Sequence, residues 1–246
     1  MINDNKVTKY VLYAIGEILL VVIGILIALN INNNNEKNKQ RALELHYLKN
    51  IKTDLQMNIT HLDAYIDTRQ KAINSAKTII EHYEGKPITD LEAFNVHTVN
   101  IYTWRKFNQI NNTFQELMNS GNLALISNDS IKNILLNMES LYKEMKDEEA
   151  HFRYDAELLL YEPQYNIMDM NPIVQNYMYQ VSDGTMGERR ELSKVQFDKM
   201  LNDTKQKNGF VMAIYEFTVM NGQLQQMKGM CQKLIQLIDD ELLEEN

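Results

Sequence analysis

Two patterns of apolar residues divide the chain. From Val11 to Ile31 apolar residues run almost without interruption, and beyond residue 41 they recur at intervals of three and four, the period of one helix face. The first such stripe holds Leu48, Ile51, Leu55, Ile59, Leu62, Ile66, Ile73, Ala76 and Ile80. It predicts one helix from Glu36 to His82, stopped by Gly85, Lys86 and Pro87. A second stripe, Ile131, Leu135, Met138, Tyr142, Met145, Phe152, Ala156 and Leu159, predicts a helix capped by Asn128 or Asp129 and ended by Pro163. The third is the most regular: Phe210, Ala213, Phe217, Met220, Leu224, Met227, Cys231, Leu234, Ile238 and Leu242 predict a helix from Thr204 to Leu243. Shorter pieces lie between, a weak helix over Asp90–Tyr102 and a stronger one over Asn112–Ser120 closed by Gly121. Leu123, Leu125 and Ile126 read as a packed connection, and Ser193–Leu201 as a short helix. Residues 163–192, with Pro172, Gly184 and Gly187, read as the least regular stretch and a mobile loop. Each apolar stripe needs partners to cover it, so the expected fold is all-α, an antiparallel bundle over residues 42–246. Straight helices of these lengths rise roughly 70 and 60 Å for the first and last, which makes the bundle elongated.

The uninterrupted run is of another kind. Its 21 residues rise roughly 31 Å as a helix, the thickness of a bilayer's hydrocarbon core. Fourteen are Leu, Ile or Val, each favouring insertion by roughly 0.3–0.6 kcal/mol against about 3 for one acid near the middle. The expected organisation is a short tail (1–10), a single transmembrane helix (11–31), a polar joint (32–41) and the bundle. A cleaved signal peptide with its apolar core at Ile18–Leu29 is the rival, but no small-x-small cleavage site follows it. The asparagines at 32–35 suit either a flexible joint or a continuous helix. Lys6 and Lys9 on one flank nearly balance Lys37, Lys39 and Arg41 on the other, so charge leaves the orientation open.

Gly16, Leu20, Gly24 and Ala28 share one face of this helix, and Gly24 with Ala28 is a small-xxx-small pair that lets two helix backbones pack closely. Glu17 borders the same seam, where a partner helix could bury it. The alternatives are small residues facing lipid and a carboxylate reaching for the interface.

The stretch from Lys9-Tyr10-Val11-Leu12-Tyr13-Ala14-Ile15-Gly16-Glu17 through ILLVVIGILIALNINNNNE resembles the N-terminal signature of an uncharacterised family of single-pass membrane proteins from Gram-negative bacteria. Thr113-Phe114-Gln115-Glu116-Leu117-Met118-Asn119-Ser120-Gly121-Asn122-Leu123-Ala124-Leu125-Ile126 resembles that family's second recurring segment. Members often carry a longer and more basic N-terminus, which implies a cytoplasmic N-terminus, an inner-membrane anchor and a periplasmic bundle. They tend to have Trp where Asn34 stands here, so an interfacial aromatic is missing. The resemblance supplies no activity, cofactor or catalytic residue.

Composition supports long helices: three prolines and nine glycines in 246 residues are too few for many short strands. Residues 1–41 carry a net charge of +2 and the remainder −10, so the bundle would repel phosphate backbones and nucleic acid is not an expected partner. Cys231 stands alone on an apolar stripe, which excludes an internal disulfide and reads as core. The one metal-like spacing is Glu148-x-x-His151, and no second such motif accompanies it, so it reads as a solvated face and no metal or cofactor is expected. Phosphate loops, nucleophile elbows and kinase signatures are absent from the sequence. Tyr102, Trp104, Arg105 and Phe107 form the densest aromatic and cationic cluster, a packed elbow or a partner-recognition patch.

The expected function is therefore a membrane-anchored interaction or scaffold protein, not an enzyme, whose partners are the bilayer, copies of itself and other envelope proteins. An extracytoplasmic ligand-sensing bundle signalling through a partner is the alternative. An oligomeric ion-coupled component using Glu17 is a third reading.

Overall fold

The computed structural model describes residues 4–243 and is all-α among them. Helix α1 (Asp4–Tyr83) takes in the apolar run, the asparagines and the first bundle stripe as one rod of 80 residues. The expected tail is thus helical from Asp4, with residues 1–3 outside the described part, and residues 32–41 continue the helix. Asparagine's low helix propensity, a few tenths of a kcal/mol per residue, is outweighed by strong helix on both sides, because extending a helix needs no new nucleus.

At the tip, Gly85 takes a left-handed φ of 105° and the chain turns into α2 (Leu91–Asn100), whose first turn is capped by the Asp90 side chain accepting from the Ala93 N–H. A 3₁₀ turn (Ile101–Thr103) and an extended segment lead to α3 (Asn112–Asn119). Gly121, at φ 73°, ends that helix in the left-handed conformation its position predicts. Asn128 accepts from the N–H groups of Ser130 and Ile131 and starts α4 (Asp129–Ala156).

Helix α8 (Thr204–Leu243) lies antiparallel against both α1 and α4 and is the central member of the bundle. Its ten predicted core positions are buried apart from Leu242, which is partly buried. The core falls into two clusters. One holds Leu48, Ile51, Leu62, Phe107, Ile126, Ile131, Leu224 and Leu234, towards the apolar run. The other holds Ile73, Ile79, Phe94, Phe152, Phe197, Phe210 and Phe217, towards the tip.

Two expectations about the third quarter of the chain are corrected. Pro163 does not end the second long helix: a π-helical turn (Glu157–Tyr161) follows α4, and α5 (Glu162–Ile167) accepts Pro163 in its first turn. Proline has no N–H for the carbonyl four residues back, and the wider turn absorbs the mismatch. Residues 163–192 are also not one loop. Asp169 caps α6 (Met170–Val181) by accepting from the Asn171 N–H, and Pro172 fits the first turn. Apart from the extended Met168 and Asp169, the irregular part is the stretch between α6 and α7 (Lys194–Leu201). Buried Asn176 ties it down, donating to the carbonyls of Pro172 and Arg190.

Candidate functional site

Between the two apolar clusters lies a belt of polar side chains. Arg69 and Glu149 are 2% and 1% exposed and form an ion pair of 2.9 Å across α1 and α4. The same Glu149 oxygen accepts from the Phe107 N–H at 2.7 Å, and its other oxygen pairs with Lys146 at 3.0 Å. Arg69 also donates to the Arg105 carbonyl, and Lys146 to the Phe107 carbonyl. Burial pulls the Arg69 guanidinium below its ordinary pKa, and Glu149 pulls it back. Asn221 donates to Gln70 and Gln223 to Glu144, extending the belt onto α8.

The belt clamps the extended segment after α2, where the aromatic and cationic residues lie. Phe107 is fully buried, edge-on to Tyr65 and Tyr142. Trp104 donates from Nε1 to the Tyr161 hydroxyl at 3.1 Å and stands edge-on to Phe152. The Tyr102 hydroxyl donates to the Leu160 carbonyl and to Gln164 Oε1, and burial raises its pKa. Arg105 alone of the four is exposed. Phe107 is thus part of the core, while Tyr102 and Trp104 are half-buried and make their contacts within the elbow. A cleft of about 750 Å³ opens beside Tyr102, lined among others by Val99, Arg153, Tyr161 and Tyr165.

About one and a half turns of α8 from Asn221 stands a second polar group. Glu216 is 4% exposed, and neither carboxylate oxygen meets an N–H or hydroxyl donor among the described residues, the group beside it being another carboxyl, Asp155. Each of Glu216, Asp155 and His151 places one ligand atom within 4.8 Å of the others. Burial first, then the Asp155 charge, push the Glu216 carboxyl up to about 7 against a downward pull from His151, and proton sharing with Asp155 and the Glu148 charge add to the rise. Glu148, the other half of the Glu-x-x-His spacing, is not one of the three. Cys231 is buried in the apolar core, where burial pushes its thiol up to about 12, the environment of an inert structural cysteine.

The sequence reading missed Arg69, Glu149 and Glu216, although their spacing marks them. Arg69 falls between Ile66 and Ile73, Glu149 between Met145 and Phe152, and Glu216 between Ala213 and Met220, all at steps of three and four. A charge that keeps the apolar period is placed on the buried face, and burial then demands a partner.

The other predicted group stands apart from the bundle. The best 18-residue window of the apolar run has a mean hydropathy of 2.7 and none of it is buried, so α1 holds one segment long and apolar enough to cross a membrane or to be a signal sequence. Gly16, Leu20, Gly24 and Ala28 are four residues apart on one face, with open space where a Cβ would stand at either glycine. Glu17 lines a shallow groove with Ala14, Ile18, Val21 and Val22. Ten residues past Ile31 the bundle closes: Arg41 pairs with Glu44 at 2.7 Å and Glu241 at 2.9 Å. Glu44 accepts from the backbone and hydroxyl of Ser127, and Glu241 from Asn128.

The model of a family of unknown function (DUF6090) matches residues 17–161. No curated protein and no solved structure matches the chain.

Proposed function

Because the chain belongs to the DUF6090 family, whose function is unknown, we propose from its own geometry that it is a membrane-anchored interaction protein, a bundle held at a set height above the bilayer. The observation that carries this reading is the unbroken helix α1, which runs from an unburied apolar segment directly into the bundle. At 1.5 Å per residue the clasp at Arg41 stands about 15 Å past Ile31, and the tip at Tyr83 about 80 Å. A helix with no joint carries orientation as well as attachment. The bundle core is filled by its own side chains, and the polar belt and elbow lock α1, α4 and the segment between them, as suits a rigid platform.

The resemblance of the anchor favours a bacterial inner membrane, a cytoplasmic N-terminus and a periplasmic bundle, with copies of the chain or other envelope proteins as partners. Crosslinking in native membranes followed by purification and identification of the captured proteins tests the reading. Recovery of defined envelope partners is the expected result, and a full chain that fractionates as a soluble monomer without detergent overturns it. The open cleft beside Tyr102 favours ligand sensing as a second reading. Saturable binding of a small molecule lost on Tyr165→Ala would support it.

A further inference from the structure

We propose that His151, Asp155 and Glu216 bind a divalent transition-metal ion that ties α4 to α8. The three residues lie within the bundle, so such a site does not depend on the membrane reading.

His151 and Asp155 are four apart on α4 and so lie on one side of that helix, flanking buried Phe152 and Ala156. Glu216 comes from α8, which packs along α4. Its carboxylate is more than nine-tenths buried, points at the other two groups and receives no donor from the described residues. A buried carboxylate without donors is costly, and two positive charges brought by one ion remove that cost. The other buried carboxylates of the bundle are answered within the protein: Glu149 by Arg69, Lys146 and a backbone N–H, and Glu44 by Arg41 and Ser127. Glu216 is the exception among the described residues.

The donor set selects the ion's class. One imidazole and two carboxylates carry two negative charges, which match a divalent cation. Imidazole suits zinc, iron and nickel, whereas magnesium and calcium take oxygen sets. The ligand atoms lie within 4.8 Å of one another, and a tetrahedral zinc ion with bonds of about 2.0–2.1 Å holds its ligands about 3.4 Å apart. Closing that distance takes about an ångström or more of side-chain movement. Exposed His151 and half-buried Asp155 supply it by changing rotamer, while buried Glu216 stays fixed. Three protein ligands leave a coordination position on the solvent side, filled by water.

The test uses the purified full chain in detergent, stripped with a chelator and titrated with Zn²⁺, then Ni²⁺, with Mg²⁺ as control. Binding of one equivalent of Zn²⁺ or Ni²⁺ is expected, with a rise in Tm of about 5–10 °C at a hundredfold excess over Kd. His151→Ala, at an exposed position, should weaken binding at least tenfold. Glu216→Gln, which keeps size and loses charge, should abolish it. No saturable binding, binding that either substitution leaves unchanged, or an equal response to Mg²⁺ overturns the proposal.

Discussion

Charged side chains that keep the apolar period cost most at the residue scale, and two of them give predictions of opposite sign. Glu149 satisfies three donors at once, so Glu149→Ala strands Arg69 in the core and leaves the Phe107 N–H without its acceptor. Breaking a buried pair from one side costs about 3–5 kcal/mol, and denaturant unfolding should read a loss of that size. Replacing both partners, as in Arg69→Met with Glu149→Leu, should recover most of it, because the desolvation cost disappears with the charges. Glu216 behaves otherwise. Its carboxyl titrates at about 7 in the fold against 4.5 ordinarily, raised by burial above all, then by Asp155 and Glu148, and lowered by His151. Between those values the native state holds a proton that the unfolded chain has released. Stability of the metal-free protein should therefore fall as pH rises from about 4.5 to 7. In Glu216→Gln that slope should flatten and the variant should be the more stable one at alkaline pH, as thermal melts across pH would show. A wild-type slope retained in the variant would place the titration elsewhere.

Helices are legible in the sequence wherever period and punctuation agree. The stripe from Phe210 to Leu242 predicts α8 to both its ends, and Asn128 and Gly121 act as the caps their positions suggest. Pro163 misleads because a proline shows what bond is lost and not what replaces it. Here the compensation comes from the π turn and from Gly209 on α8, far away in sequence. A Cβ on Gly209 would stand 2.7 Å from the Leu159 carbonyl oxygen, the very acceptor that Pro163 cannot serve, and 2.7 Å from Leu160. Gly209→Ala therefore forces backbone apart where α8 meets the π turn, and overpacking of this kind costs about 1–3 kcal/mol. In an exposed helix interior the same change would stabilise, so the sign of the shift in Tm decides whether the close approach exists. Helix α6 is hidden for a related reason. Its proline and flanking glycines look like a loop, while what holds it is Asn95 donating to the Ile173 carbonyl from a helix 78 residues earlier. The polar belt escapes a linear reading on the same account: period locates the charges, but only the fold shows that Arg69 and Glu149 face each other.

For the whole molecule, the proposed anchoring leads to a prediction about assembly. The bundle carries a net charge of −10, so copies repel one another through their soluble parts, most strongly at low salt. The proposed association of copies is therefore expected to run through the anchor, where Gly16, Gly24 and Ala28 leave a shallow face that a second helix can approach closely. A Cβ placed on either glycine would meet nothing within 4 Å in the chain itself. A larger side chain at Gly24 consequently costs the single chain no packing, and helix propensity even improves. Gly24→Leu should therefore leave thermal unfolding of the bundle unchanged while lowering the oligomeric state proposed for the full chain in mild detergent, as light scattering or crosslinking would report. An oligomeric state unaffected by Gly24→Leu would remove the anchor as the seat of assembly. Because α1 runs without a break from Asp4 to Tyr83, two anchors packed on that face would also fix the angle between their bundles, so the variant should lose crosslinks between bundle surfaces together with those between anchors.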